Sequence, residues 1–238
     1  MKKKLLLLTC FACFPAFSTA DSTSDSEWSV SGNIALTSDY VFRGYTQTDG
    51  DPAIQGGFDV GHSSGLFAGV WGSNVESDPA APINYDGANV ELDVYLGWKG
   101  KITDSGLELT AKALRFMYPG TDYSSNNSNE FSLNLGYAFT VATLRGSINY
   151  SDDYFGTGKA WYWDTAVMVP LGPVKLSLQA GRSDYEYGGD YTDYSMGVSG
   201  ELAGFGLSLS YIGTDGVPEG CITRTCKERA VFTVSKEF

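Results

Sequence analysis

The sequence predicts an all-β chain that closes into an antiparallel transmembrane β-barrel of about 12 strands, with short periplasmic turns and longer extracellular loops. Three observations carry that expectation. Segment after segment alternates apolar and polar residues with a period of two, the signature of a strand with one greasy and one wet face. The alternating segments number twelve, an even count as bacterial outer-membrane barrels require. The connections between them alternate in length, short then long, as the two rims of such a barrel do.

The 238-residue chain opens with Lys2, Lys3 and Lys4, an apolar run from Leu5 to Phe17, and the small residues Ser18-Thr19-Ala20. This reads as a secretory signal peptide over residues 1–20, cut after Ala20. Acylation of Cys10 or Cys13 as a lipoprotein is the alternative, but Thr9 is a poor residue before Cys10 and the apolar run would be truncated. Residues 21–27 form a short lead, and 28–238 a single outer-membrane barrel domain. Cleavage removes three lysines and no acid, taking the formal charge from -12 to -15. So acidic a chain makes a poor nucleic-acid partner, because phosphate contacts need clustered Lys and Arg. No later run reaches the roughly 18 apolar residues of a membrane helix. A barrel spans a bilayer without one, since it satisfies its backbone groups internally.

The segments run Trp28–Gly44, Ala53–His62, Leu66–Val75, Asn89–Trp98, Leu107–Tyr118 and Glu130–Phe139. They continue with Ala142–Tyr150, Trp161–Val169, Val174–Arg182, Tyr191–Gly200, Phe205–Ile212 and Ala230–Phe238. In the first, Trp28, Val30, Gly32, Ile34, Leu36, Ser38, Tyr40, Phe42 and Gly44 share one face, and Asp39 and Arg43 lie on the other. In the fourth, Val90, Leu92, Val94, Leu96 and Trp98 oppose Glu91, Asp93 and Tyr95. Period alone leaves inside and outside open, because a soluble carrier with an apolar lumen alternates in the same way.

The connections favour the membrane reading. Ser63–Gly65, Lys99–Gly106, Thr140–Val141, Pro170–Pro173 and Glu201–Gly204 are short, and Lys99–Gly106 is the longest of them. Tyr45–Pro52, Glu76–Ala88, Pro119–Asn129, Ser151–Ala160, Ser183–Asp190 and Gly213–Arg229 are longer. Both termini fall on the short-turn side. Phe238 ends the last strand in the manner of the terminal aromatic that marks outer-membrane barrels for insertion, and Lys236 snorkels near that rim.

The first turn region also carries a resemblance. The run SDYVFRGYTQTDGDPAIQGGFD, Ser38 to Asp59, resembles the signature of the TorF family of porins. The later strands resemble the family more loosely, and Tyr45 stands where the family has a smaller aliphatic residue. The resemblance implies an outer-membrane barrel and brings no established catalytic residue.

Candidate chemistry is sparse. His62, the sole histidine, ends the second segment against Ser63-Ser64-Gly65 without a GxSxG or comparable constellation, so it reads as a rim residue and the chain as no enzyme. Cys221 and Cys226, five residues apart in CITRTC, read as a disulfide in an oxidising envelope. A zinc site would need about four ligands, which the sequence does not supply there, and no metal or other cofactor is expected. The lumen charges are Asp39, Arg43, Glu91, Asp93, Glu108, Lys112, Glu130, Arg145 and Asp164. Asp39 and Arg43 sit four strand residues apart, about 13 Å at 3.3 Å per residue, so each must pair elsewhere. Arg43, taken to face Gly56-Gly57, is a candidate for a charged constriction; the alternative is that these charges knit a solvated lumen together. Tyrosine and acid recur together at Asp122-Tyr123, Asp152–Phe155, Asp184–Tyr187 and Asp190-Tyr191. They read as an outer aromatic girdle with hydrated acidic loops, against a sugar or calcium site.

The functional expectation is an outer-membrane porin of a Gram-negative bacterium, passing small polar or charged solutes by passive diffusion. Its partners would be outer-membrane lipid and lipopolysaccharide, and the barrel-assembly machinery during insertion. The alternative is a non-conducting barrel whose acidic, tyrosine-rich loops bind a ligand or partner. Barrels of about eight strands are filled by side chains and those of about sixteen to eighteen hold water, so twelve leaves the lumen's openness undecided.

Overall fold

The structure, a computed structural model, describes residues 27–76, 87–102, 106–121, 126–217, 221 and 225–238. The signal-peptide expectation and Asp122-Tyr123 lie outside the described residues. Twelve strands close in the order β1-β14-β13-β12-β11-β10-β9-β8-β7-β6-β5-β4, every neighbouring pair antiparallel. The wall is made of β1 (Trp28–Thr37), β4 (Ala53–His62), β5 (Leu66–Asn74), β6 (Val90–Ile102), β7 (Leu107–Met117) and β8 (Ser128–Ala138). It continues through β9 (Thr143–Ser151), β10 (Ala160–Leu171), β11 (Val174–Tyr185), β12 (Tyr191–Leu202), β13 (Phe205–Asp215) and β14 (Arg229–Glu237). The two remaining strands, β2 (Val41–Phe42) and β3 (Tyr45–Thr46), form a separate small hairpin.

Closure rests on the two ends of the chain. Asn33 pairs with Glu237 and Thr37 with Thr233. Beyond that ladder Gly32 N–H donates to Phe238 O (2.8 Å) and Phe238 N–H returns to Gly32 O (3.0 Å). A Cβ on Gly32 would come within 2.7 Å of the Phe238 ring, so glycine lets the terminal aromatic lie across the seam.

Burial decides which face is inside. Val30 (74 %), Leu96 (65 %) and Phe58 (60 %) are exposed outward, whereas Glu91 (1 %), Asp93 (0 %) and Asp59 (3 %) are buried inward. An apolar outer face around a polar interior is the reverse of a soluble carrier, so the apolar-lumen alternative is overturned. Lys236 reaches Gly204 O at 2.8 Å from this outer face.

The wall departs from the sequence reading at its edges. β6 runs on to Ile102, pairing Lys101 with Glu108, so the first half of the connection that looked longest among the short ones is strand. β10 to β13 extend past their alternating segments because ladder pairing carries residues beyond the point where the pattern decays. The first segment is the larger correction: β1 stops at Thr37 rather than Gly44. Ser38 N–H makes a further bond across the seam, to Phe232 O (2.8 Å), and Thr37 Oγ1 donates to Asp39 O (2.9 Å) as the chain turns inward. Tyr40 and Phe42, read as part of the outer stripe, pack inside on Trp71 and Phe116 instead.

Candidate constriction in the barrel lumen

Residues 38–52 leave the wall and enter the barrel mouth on the long-loop side. The tip is a two-residue turn between Phe42 and Tyr45, with Arg43 at φ 48 and Gly44 at φ 83. Positive φ at both central residues is the hairpin turn whose twist matches its strands, and Gly44 suits it at no steric cost. A Cβ on Gly44 would also stand 2.3 Å from Thr214 Cγ2, so the tip approaches the wall closely.

Arg43 therefore lies across the lumen, not over Gly56-Gly57. Those glycines pair with Ile34 and Asn33 on one side and with Gly72 and Trp71 on the other. The Arg43 guanidinium meets Glu130 of β8 at 2.6 Å, with both side chains buried. It also donates to Tyr154 Oη (3.4 Å) and lies 4.1 Å from the Tyr162 ring centroid. Burial alone would lower its pKa, but Glu130 leads the groups that hold it above the ordinary value, so the guanidinium stays charged. β8 stands five strands from β1 along the shorter path around the wall, so the contact ties the tip to the far side.

The base of the hairpin is tied separately. Asp39 accepts from Arg229 of β14 (2.5 Å), Thr46 (2.5 Å) and Thr48 (3.0 Å). Asp39 and Arg43 thus pair separately, but not as members of one strand, since Asp39 lies beyond the end of β1 and Arg43 at the hairpin tip. Tyr40 Oη donates to Glu91 Oε1 (3.3 Å). Tyr40, Leu114, Phe116 and Tyr118 form a buried apolar cluster with Phe42, Trp71 and Phe155 against it. Tyr45, Tyr191 and Cys226 make a second cluster, in which the Tyr45 and Tyr191 rings lie 4.7 Å apart. Cys226 is paired with Cys221 at a Cα–Cα distance of 6.2 Å, within disulfide range. Its neighbour Thr225 accepts Thr46 N–H (3.0 Å), so the cystine loop braces the hairpin's return strand.

Other expected lumen charges spread along the barrel. Lys112, Arg145 and Asp164 join Glu130 in lining a cavity of about 90 Å³ at the hairpin tip. Ser147 donates to Asp164. Glu108 stands apart at the short-turn rim, half-exposed and 3.8 Å from Lys99. The loop aromatics differ from an outer girdle: Tyr154, Tyr185 and Tyr191 turn inward, with Tyr154 and Tyr185 5.5 Å apart. Tyr187, 67 % exposed, faces out.

His62 sits at the short-turn rim, where its Nδ1 contacts Ser64 Oγ (2.8 Å) and accepts Ser64 N–H (3.2 Å). A ring nitrogen already capping a tight turn is poorly placed as a general base. Tyr162, Gln179 and Asp193, all lining the cavity, escaped the sequence reading. The period-two pattern held the signal, since Asp193 shares its face with Tyr191 and Ser195, and Tyr162 with Asp164.

Residues 21–238 match a family described as bacterial protein of unknown function, Gcw_chp. The chain belongs to the Gcw_chp family. That description does not carry the TorF designation suggested by the first turn region. No curated protein matches the chain. Among solved structures this Gcw_chp chain is similar to the KdgM porin, with a TM-score of 0.57 at 6 % identity, over 87 % of this chain and 98 % of that one. It is also similar to a NanC porin structure, with a TM-score of 0.54 at 13 % identity and the same coverages. At such identities the likeness is one of fold.

Proposed function

We propose that the protein is an outer-membrane porin of a Gram-negative bacterium whose in-folded hairpin, with Arg43 at its tip, forms the constriction for small polar or charged solutes. The observation that carries this reading is a polar lumen narrowed by a segment of the first long loop. Its family designation would be TorF, and Phe238 its insertion signal to the barrel-assembly machinery. The long loops then face outward among lipopolysaccharide, and the oxidising envelope sustains the Cys221–Cys226 bond. Transport is diffusion, with no covalent chemistry.

The charge balance gives a direction. The buried acids Asp39, Asp59, Glu91, Asp93, Glu130 and Asp193 outnumber Lys112 and the guanidiniums of Arg43, Arg145 and Arg229. A lumen with this excess attracts cations. The refolded protein in a planar bilayer is expected to give discrete current steps, with a reversal potential favouring cations under a salt gradient.

One observation favours a second reading. The hairpin is bonded to both sides of the lumen, at Arg229 and at Glu130, as in a closed barrel whose acidic, tyrosine-rich loops bind a partner. Excising residues 40–47 and joining the ends with a short Gly-Ser linker separates the two. Steps in both proteins, several-fold larger in the trimmed one, support the constriction. Silence in the native protein with steps in the trimmed one supports an occluded barrel. Silence in both, from heat-modifiable folded protein, sinks the channel reading.

A further inference from the structure

Among the described residues lining the cavity at the hairpin tip, one acid has a buried oxygen without a hydrogen-bond partner. Glu130 is occupied by Arg43 and Asp164 by Ser147. Asp193 receives Tyr162 Oη (3.2 Å) and Gln179 Nε2 (3.0 Å), both on Oδ1. Its Oδ2 is buried and has no hydrogen-bond partner among the described residues, and Asp193 as a whole is 3 % exposed. No ion pair joins it to a lysine or arginine among the described residues. A carboxylate held out of water with half its acceptors unused is costly, and a cationic donor that reaches it recovers that cost.

Glycine at 181 lets that oxygen lie close against the wall. A Cβ on Gly181 would stand 2.7 Å from Asp193 Oδ2 and 2.1 Å from Tyr162 Oη, so a side chain there would displace both groups. On the other side, a Cβ on Gly44 would come 3.0 Å from Asp193 Cβ. Two glycines, one on the wall and one on the hairpin, flank a single carboxylate.

We propose that this cavity binds a small organic ammonium ion, with the ammonium on Asp193 and the solute's hydroxyl or carboxylate toward Lys112 and Arg145. The proposal rests on the channel reading, for which it names the solute class. An ammonium needs only two or three acceptors, whereas a bare divalent cation takes about six oxygen ligands. No group of three potential metal ligands exists among the described residues. Asn149 Nδ2 donates to Ser147 Oγ (3.0 Å) and Tyr162 O (3.3 Å), leaving its amide oxygen as a second acceptor in the cavity. The volume of about 90 Å³ equals roughly three waters at their liquid share, room for a solute of a few heavy atoms. Basic side chains on β7 and β9 suit the other end of a zwitterion or amino alcohol.

The test uses the full chain refolded in detergent, with ethanolammonium chloride and glycine as probes in isothermal calorimetry, beside bilayer conductance of the same preparation. Saturable binding of ethanolammonium is expected, weakened about tenfold or more by Asp193→Asn and retained by Asp193→Glu. Asp190→Asn, a rim acid paired with Arg182, controls for net charge and should leave binding unchanged. Should Asp193→Asn fail to show heat-modifiable migration, Gly181→Ala supplies the second variant, keeping the charge while pushing Asp193 Oδ2 and Tyr162 Oη from their places, and it too should weaken binding. No saturable binding to the native protein, or equal binding by a folded Asp193→Asn variant, overturns the site. Current steps without ammonium binding overturn the site and leave the channel standing. Binding without current keeps the site and overturns the channel.

Discussion

The two halves of the lumen are built from the same strands by different means. Toward the long loops, inward positions carry large side chains, among them Phe116, Tyr118, Tyr154 and Tyr191, which pack on a hairpin held by buried ion pairs. From mid-barrel toward the short turns, the inward positions include Ser132, Asn134, Ser147, Ser177 and Ser195, small polar groups, with Phe67 and Tyr95 as larger side chains on β5 and β6. The polar side-chain atoms of Ser132 and Asn134 are buried and have no protein partner among the described residues. One half is therefore a packed core inside a barrel, and the other is lined by small polar groups, some of them without a protein partner among the described residues. Side-chain volume on the inward face, not strand geometry, sets where the lumen narrows.

The largest effect that would break this contrast is expected at Arg43. Arg43→Ala leaves Glu130 buried without its cation, and breaking a buried pair in this way costs about 3–5 kcal/mol. The Arg43→Ala/Glu130→Gln double variant should recover part of that, because neither half of the pair is then stranded. Hydrogen exchange at Val41 to Thr46 reads the docking free energy locally. Equal protection in Arg43→Ala and the native chain would show that the aromatic clusters alone hold the hairpin. Ion selectivity should move further toward cations in the single variant, since one positive charge leaves the narrowest zone.

The same contrast explains what was legible in the sequence. The wall was legible because lipid on one side and water or polar side chains on the other force a period of two, and Val90 to Trp98 shows it cleanly. The hairpin was not, because Tyr40 and Phe42 continue the apolar phase of β1 while facing the lumen. A period reports that a side chain sits in an apolar place, and an internal core is as apolar as lipid. The mark that distinguishes the two is on β7 and the residue after it, where Leu114, Phe116 and Tyr118 place large apolar groups on the polar phase held by Lys112. Such residues demand an apolar partner inside the barrel. Arg43 and Glu130 were both legible as lumen charges, but their pairing was not, since a hairpin crossing the lumen joins strands far apart around the wall.

A second, smaller effect should appear at the cystine. Removing a cross-link that closes so short a loop costs about 2 kcal/mol by chain entropy. Here that loss is expected to fall on the hairpin's return strand, which Thr225 O and Cys226 support, rather than on the wall. The paired Cys221→Ser/Cys226→Ser variant should show faster exchange at Thr46 and noisier single-channel current, with its thermal unfolding little changed. A drop in wall stability with unchanged protection at Thr46 would place the brace elsewhere.

The smallest effect is expected in the other half, and its smallness is the sharpest test of the contrast. Ser132→Ala and Asn134→Ala remove buried groups that bond nothing in the protein among the described residues, so each should leave stability nearly unchanged or raise it. A substitution of similar size at Thr48, whose Oγ1 reaches Asp39, Asp51 O and Tyr40 N in the hairpin base, should cost visibly more. Chemical denaturation of the three variants reads this directly. If Asn134→Ala proved as costly as Thr48→Ala, the mid-barrel lumen would have to be a bonded network rather than a lining of unbonded polar groups. The narrowing would then extend beyond the hairpin into the wall itself, because a network strong enough to be felt on denaturation also fixes side chains across the path of a solute.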